Sequence, residues 1–276
     1  MSGLDRTTHR RFLYRDPETL RRDIGELGLP IRWAEDPRPL LDPVRIGGRT
    51  LPNRLAVHPM EGFDGKLDGA PSELASRRYR RFAGGGSALI WFEATAVVEE
   101  GRSNPHQLCL TARTASRFET LVAETRRSAS EAMGADHDPL LILQLTHSGR
   151  WSKPDGSRRP VIAHHFEMLD GMVDIDDAYP TVADEELDRL QEVFVDAARL
   201  AAEAGFDGVD VKACHGYLVS ELLGAFAREG RYGGSLENRS RFLLETARRI
   251  EEEVPGILVT SRLNAFDGLP YPYGFG

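Results

Sequence analysis

Leu140-Leu141-Ile142-Leu143-Gln144-Leu145-Thr146-His147 is a nearly continuous apolar run that becomes polar at its carboxyl end. Such a run predicts a strand that is buried on both faces. Similar runs recur along the chain, and segments with helical periodicity separate them. The predicted strands are 54–58, 88–93, 140–145, 208–212 and 257–262, and the predicted helices between them are 73–82, 116–133, 184–204 and 236–254. Strands linked by crossover helices predict an α/β fold with a parallel sheet.

Polar residues follow each predicted strand at its carboxyl end. They are Met60-Glu61, Glu93-Ala94-Thr95, Gln144 with Thr146-His147, Lys212 with His215, and Arg262 with Asn264. This placement is typical of a TIM (βα)8 barrel, whose functional residues gather at that end. A doubly wound open sheet is the competing fold, but it usually has a Gly-rich turn directly after its first strand, and none occurs here. Gly84-Gly85-Gly86 precedes a strand, which indicates the end of a helix.

The first 40 residues differ from the rest of the chain. They are highly charged and contain one predicted helix, which starts at Pro17 with Asp16 as its cap and ends near Gly28. We therefore divide the chain into an N-terminal helical arm, residues 1–40, and a barrel domain, residues 41–276. The segment around Gly47-Gly48 predicts a β-hairpin that forms a small lid at the start of this domain.

Composition narrows the class of protein. The 276 residues are 41% hydrophobic, carry a net charge of -8 and include 2 cysteines. The negative charge argues against a nucleic-acid partner, and no apolar run is long enough to span a bilayer. So few cysteines favour the reducing cytoplasm, and the histidines lack the spacing of a catalytic metal site. Self-association into a homo-oligomer stays open.

Four strings resemble the Old Yellow Enzyme family of flavin mononucleotide (FMN) oxidoreductases. They are Leu51-Pro52-Asn53-Arg54-Leu55-Ala56-Val57-His58-Pro59-Met60, Leu143-Gln144-Leu145-Thr146-His147-Ser148-Gly149-Arg150, the segment from Gly205-Phe206-Asp207-Gly208-Val209-Asp210 to His215-Gly216-Tyr217-Leu218, and Tyr232-Gly233-Gly234-Ser235-Leu236-Glu237-Asn238-Arg239. They occur in the family's order and at close to its spacing. The resemblance extends from about Leu41 to the end of the chain and implies a βα barrel with the flavin ring at its carboxyl end.

The resemblance also implies residues that contact FMN. Pro59, Met60 and Glu61 are expected beside the ring, and Ala94 is expected to touch it. Gln144 matches the glutamine that hydrogen-bonds the pyrimidine edge. Two cations, Lys212 and Arg262, are expected to support the reduced ring. Arg262 is expected near flavin N1, where reduction builds negative charge.

The same resemblance implies a reaction, the NAD(P)H-driven reduction of an activated alkene. Lys212 and His215 would bind the activating oxygen, although Lys212 stands where most members have histidine. Tyr217 would protonate the α carbon after hydride has reached the β carbon, and Lys212 and His215 would ease the loss of its proton. Glu61 replaces a common Thr or Cys, and an ionised carboxylate there would make flavin reduction harder.

Three other functions stay open from the sequence alone. Some related barrels oxidise amines, so an FMN-dependent dehydrogenase of amine-type substrates is one alternative. A lyase that forms a Schiff base on Lys212 is another. Only five βα units can be recognised where the family barrel has eight. The sequence is therefore expected to be the N-terminal portion of a longer protein, and an inactive barrel fragment is the third alternative.

Overall fold

The computed structural model describes residues 12–275, in which regular structure comprises short and long helices and seven strands. The strands are β1 (Val44–Ile46), β2 (Arg49–Leu51), β3 (Ala56–Val57), β4 (Leu89–Ala96), β5 (Leu140–Thr146), β6 (Gly208–Val211) and β7 (Leu258–Thr260). The α-helices are α1 (Pro17–Glu26), α2 (Glu73–Gly84), α3 (Ala115–Met133), α4 (Glu167–Met172), α5 (Asp184–Glu203), α6 (Leu218–Leu223) and α7 (Leu236–Glu253). Short 3₁₀ turns occur at Arg38–Leu41, Glu99–Gly101 and Gly149–Trp151.

Strands β3 to β7 form one parallel sheet in which they lie side by side in sequence order. A helix follows each of the first four strands, so every connection is a crossover of the kind that parallel strands require. The α/β fold with a parallel sheet is therefore confirmed. The strand bounds differ from the prediction at their ends, most of all for β3, which pairs with β4 over only two residues.

The period of two along each strand separates two kinds of side chain. In β5, Leu141, Leu143 and Leu145 belong to the large core that packs against the helices. Ile142 belongs to a smaller cluster on the opposite face of the sheet. Gln144 shares that face by alternation, so an amide is placed on the inner face where the strand approaches its carboxyl end.

Local sequence signals account for the ends of several helices. The side-chain oxygen of Ser72 accepts hydrogen bonds from the first backbone N–H groups of α2, and Ser235 caps α7 by accepting from the N–H of Asn238 at 3.2 Å. α2 ends at Gly84, and Gly86 then has a φ of +84°, a conformation that favours glycine. The Gly-rich segment 84–86 is therefore a helix terminus, as predicted.

The predicted hairpin is present as β1 and β2, which pair in antiparallel fashion around Gly47 and Gly48. Both glycines have positive φ, as a tight hairpin turn of this kind requires. Leu51 is buried in a cluster with Leu140, and Gly47 lies against the side chain of Leu258. Since Leu140 and Leu258 begin β5 and β7, the hairpin packs at the amino ends of the strands.

A short N-terminal unit ends at Leu40, and the main unit starts at Leu41. Within the described part of the first unit, Asp16 caps α1 by accepting from the backbone N–H of Thr19 at 2.7 Å, as predicted. The guanidinium of Arg21 lies 4.9 Å from the ring centre of Trp33. This unit is therefore organised around one capped helix and a cation–π contact.

Residues 12–275 contain neither a membrane-spanning helix nor a cluster of metal ligands. None of the helices there is long and apolar enough to cross a membrane. Within the same range, no cluster of three or more His, Cys, Asp or Glu side chains is arranged to hold a metal ion.

Candidate active site

A cavity of about 410 Å³ opens at the carboxyl ends of the parallel strands, where functional residues of βα proteins gather. It brings together Gln144 of β5 and side chains from the segments that follow β3, β6 and β7. Its lining residues are Pro59, Met60, Glu61, Phe63, Gln144, Lys212, His215, Tyr217 and Arg262. Every predicted site residue except Ala94 is therefore found in one place.

Gln144 is held by a carboxylate on the neighbouring strand. Gln144 and Asp210 are paired in the register of β5 and β6, and the Gln144 amide donates to Asp210 Oδ2 at 2.5 Å. The same oxygen accepts from Trp91 Nε1 at 3.0 Å, and Asp210 Oδ1 accepts from the backbone N–H of Arg262 at 2.9 Å. Because the amide N–H group of Gln144 is directed at Asp210, its carbonyl oxygen remains available as an acceptor.

Asp210 is fully buried, and burial raises its pKa to about 6 although three donors favour the charged form. The native state therefore holds this proton more tightly than the unfolded chain does. We expect the stability of the wild type, measured against Asp210→Asn, to increase by about 2 kcal/mol as the pH falls from about 7 to about 4. Denaturant unfolding of both proteins at several pH values measures this difference.

The exposed Asp177→Asn variant is the control for loss of a carboxylate. A difference between wild type and Asp210→Asn that stays constant across this pH range would contradict the assignment of a raised pKa to Asp210.

Arg262 lies at the rim of the cavity with few protein partners. Its guanidinium donates to the carbonyl oxygen of Pro59 at 3.4 Å, a long contact that leaves most of its N–H groups unused within the described residues. Met60 beside it is exposed, and Pro59 is buried. Ala94 is buried and does not line the cavity, and its carbonyl accepts from Gln107 at 3.1 Å. The contact of Ala94 with a flavin stays a prediction.

Glu61 is the centre of the polar contacts in the cavity. Its Oε1 accepts from Lys212 Nζ at 2.9 Å and from the Tyr217 hydroxyl at 2.9 Å. Its other oxygen accepts from the Ser103 hydroxyl at 3.2 Å. The Lys212 ammonium also lies 3.7 Å from the centre of the Tyr217 ring. One carboxylate thus holds two of the three predicted catalytic residues.

The surroundings of Tyr217 differ from the expectation. The sequence suggests that Lys212 and His215 ease the loss of its proton, but the structure places the Glu61 carboxylate closest to the hydroxyl. Burial and this carboxylate raise the pKa of Tyr217 well above its usual value. Tyr217 is therefore a protonated phenol at neutral pH, and its acidity is lowered by the residue it contacts.

His215 is exposed at the mouth of the cavity and has a φ of +64°, which is uncommon for a residue with a side chain. Partial burial and the positive charges of Lys212 and Arg262 lower the pKa of His215, so the neutral imidazole is favoured. His215 also lines a second cavity of about 610 Å³, whose other residues are Phe63, Ser103, Asn104, Pro105, His106, Trp151, Lys153 and Tyr217. The two cavities therefore meet at His215, Tyr217 and Phe63.

Sequence reasoning did not select Asp210 or Ser103 as site residues. The signal for Asp210 was present, since a single carboxylate within a run of β-branched residues is unusual in a buried strand. Ser103 gave no comparable signal because it lies in a loop. His147, which follows β5, lies in a different cavity with Glu100 and Tyr179, and burial lowers its pKa to about 4. This histidine is thus neutral and separate from the main site.

The polar groups of the first cavity fit the ring system of FMN. An isoalloxazine ring needs a polar partner for its pyrimidine edge and a cation where reduction adds negative charge. The Gln144 carbonyl, held in place by Asp210, and the Arg262 guanidinium meet these two needs. Pro59 and Met60 supply apolar surface beside them.

Comparison with known proteins also indicates a flavin oxidoreductase. Residues 39–270 match the model of the NADH:flavin oxidoreductase / NADH oxidase family. An NADPH dehydrogenase of Halalkalibacterium halodurans is 32% identical over 209 residues, which cover 75% of this chain and 57% of that protein.

Two solved structures have the same fold. Old Yellow Enzyme from Pichia sp. AKU4542 superimposes with a TM-score of 0.70 at 24% identity, over 82% of this chain and 59% of that one. Morphinone reductase in complex with tetrahydroNAD superimposes with a TM-score of 0.65 at 26% identity, over 81% and 63%. The chain spans less than two thirds of the length of this NADPH dehydrogenase and of both structures. It belongs to the NADH:flavin oxidoreductase / NADH oxidase family and has the fold of Old Yellow Enzyme.

Proposed function

We propose that this protein is an FMN-dependent oxidoreductase that uses NAD(P)H to reduce an activated alkene. The observation that carries the proposal is the cavity at the carboxyl ends of the strands, where Gln144, Arg262, Lys212 and Tyr217 converge. The names of its relatives support it, since one is an NADPH dehydrogenase and another is a reductase bound to tetrahydroNAD. Membership of a flavin oxidoreductase family supports FMN as the cofactor.

In this proposal the protein would hold the FMN ring through Gln144 of β5 and through residues in the loops that follow β3 and β7. Gln144 would hold the pyrimidine edge, and Arg262 would stabilise the negative charge of the reduced state. Pro59 and Met60, which line the cavity, would provide apolar contacts with the ring, and a contact from the buried Ala94 stays a prediction. FMN, when bound there, would supply two-electron hydride-transfer chemistry between a nicotinamide and the substrate.

The remaining residues act on the substrate. His215 lies where the two cavities meet and donates a hydrogen bond to the activating oxygen, and Lys212 lies beside it as an N–H donor that is ion-paired with Glu61. Tyr217, protonated at neutral pH, gives its proton to the α carbon. The second cavity, which shares His215 and Tyr217 with the first, accommodates the rest of the substrate.

Several structural expectations belong to the same proposal. The five parallel strands would form an arc of a βα barrel within residues 41–276, and residues 1–40 would form an N-terminal helical arm, of which residues 1–11 lie outside the described residues. The β1–β2 hairpin acts as a lid at the amino ends of the strands, opposite the cavity. A cytoplasmic location is supported by the two free, buried cysteines. Self-association stays a prediction.

The test of this function is direct. We expect the full chain, purified with FMN, to bind the cofactor and to oxidise NADPH or NADH when an enone is supplied, with one reduced alkene formed for each nicotinamide consumed. Absorption of the bound flavin measures cofactor binding, and chromatography measures the reduced alkene. Failure to bind FMN would contradict the proposal for this chain and would favour the third alternative, an inactive barrel fragment. Bound FMN that is reduced by an amine but does not reduce an enone would favour the dehydrogenase alternative.

Lys212 provides a second test because the lyase alternative requires it to be a nucleophile. Its ammonium is ion-paired with Glu61 and buried, and a protonated amine cannot attack a carbonyl. We expect borohydride treatment in the presence of carbonyl substrates to leave no mass adduct on Lys212. Lys153, which lines the second cavity, is the internal control for nonspecific reaction. An adduct on Lys212 that exceeds the one on Lys153 would favour the lyase.

A further inference from the structure

Two residues that depart from the pattern of the resembled family are in direct contact. Glu61 follows β3 and Lys212 follows β6, 151 positions apart, yet Lys212 Nζ lies 2.9 Å from Glu61 Oε1. The Lys212 side chain is 1% exposed and that of Glu61 is 13% exposed. A buried ammonium is strongly disfavoured without a counter-ion, so each charge depends on the other.

The pair also determines where the Tyr217 hydroxyl is directed. Both Lys212 and Tyr217 donate to Glu61 Oε1, and the ammonium lies against the face of the Tyr217 ring at 3.7 Å. Ser103 donates to the other carboxylate oxygen. With both of its oxygens engaged, Glu61 has little freedom to turn. The phenol is therefore positioned by a carboxylate that is itself fixed by Lys212.

The charge beside the cavity follows from the same contact. An isolated carboxylate next to a flavin ring would oppose reduction, and an isolated ammonium would favour it. At 2.9 Å the two charges of the pair largely cancel at the ring. Arg262 then remains the cation that lines the cavity without a carboxylate partner among the described residues.

We propose that Glu61 and Lys212 act as one unit, a buried ion pair that positions Tyr217 and adds no net charge beside the flavin. Neither residue can then be replaced alone without consequence, whereas replacing both is tolerated better. Glu61 is a positioning residue for Tyr217 in this scheme. The inference rests on the proposed function for its effect on the flavin, but the pairing itself is independent of it.

A double-mutant cycle tests the unit in the full chain, with Glu61→Gln, Lys212→Met and the double variant. We expect Glu61→Gln to raise the midpoint potential of bound FMN, because it leaves an unpaired ammonium. Lys212→Met should lower the potential, because it leaves an unpaired carboxylate. The double variant should return close to the wild type. Each single change should alter the ratio of the dissociation constants for oxidised and reduced FMN by about tenfold.

The apoprotein supplies a second readout that needs no flavin. Breaking a buried pair by removing one partner is more destabilising than replacing both. We therefore expect either single variant to unfold at a lower denaturant concentration than the double variant does. The exposed pair Asp36 and Arg38 is the control, for which Asp36→Asn, Arg38→Met and the double variant should all resemble the wild type.

The outcomes separate the two proposals. Midpoint potentials that shift in the same direction in both single variants would overturn the proposal that Glu61 and Lys212 act as one unit. A double variant that is less stable than either single variant would overturn it as well. A chain that bound no FMN but kept the coupling in its unfolding would contradict the proposed function while supporting the ion pair. Coupling in both measurements would support both.

Discussion

Replacement of Tyr217 by phenylalanine is expected to slow the transfer of reducing equivalents from the reduced enzyme to an enone by roughly 10²–10⁴-fold. The substitution removes the hydroxyl that would protonate the α carbon and leaves the ring in place. Reduction of the flavin by NADPH needs no such proton and should stay within about twofold of the wild type. Stopped-flow measurement of the two half-reactions separates these effects.

Tyr179→Phe is the matched control for this experiment. The Tyr179 hydroxyl donates to the carbonyl oxygen of Pro160 at 2.7 Å and lines a different cavity, so its loss should leave both half-reactions unchanged. Equal slowing of both half-reactions in Tyr217→Phe would show that the hydroxyl has no specific part in proton transfer. The hydrogen bond to Glu61 would then be its main role.

Replacement of Arg150 by methionine is expected to lower the free energy of unfolding by about 3–5 kcal/mol. Arg150 is 1% exposed, and its guanidinium is paired with the carboxylates of Asp170 and Glu221. It also donates to the carbonyl oxygen of His164 at 2.7 Å. The variant would leave two carboxylates in a buried position with no cation between them. Denaturant unfolding of the full chain measures the loss.

Arg113→Met is the control for the loss of an arginine. Arg113 is paired with Glu99 but its side chain is 73% exposed, so the change should cost less than about 1 kcal/mol. Arg150→Lys keeps the positive charge but loses the bidentate geometry of the guanidinium. Its free energy of unfolding should lie between those of the wild type and Arg150→Met. A loss below about 1 kcal/mol in Arg150→Met would show that the cluster does not hold the fold together.

The candidate site shows which site residues can be predicted from their position in a strand. Gln144 and Lys212 each stand at the carboxyl end of an apolar run, which predicts that they belong to the site, and both line the cavity. The contact between Gln144 and Asp210 could not be predicted in this way. It depends on the register between β5 and β6, which is set by packing of the whole sheet. The orientation of the amide follows from that register.

The sequence by itself determined the order of the parallel strands and of the long helices between them, the hairpin at Gly47-Gly48, and the caps at Asp16 and Ser235, but not the short helices α4 and α6. These features depend on residues a few positions apart, whose φ angles, side-chain oxygens and alternation act locally. Only the tertiary structure decided that Glu61 meets Lys212 and Tyr217. That contact joins segments more than 150 residues apart in the sequence, and the parallel sheet brings their strand ends together. The charge and acidity of the site are properties of that contact, since the pKa of Tyr217 is set by its burial and by a carboxylate from another strand.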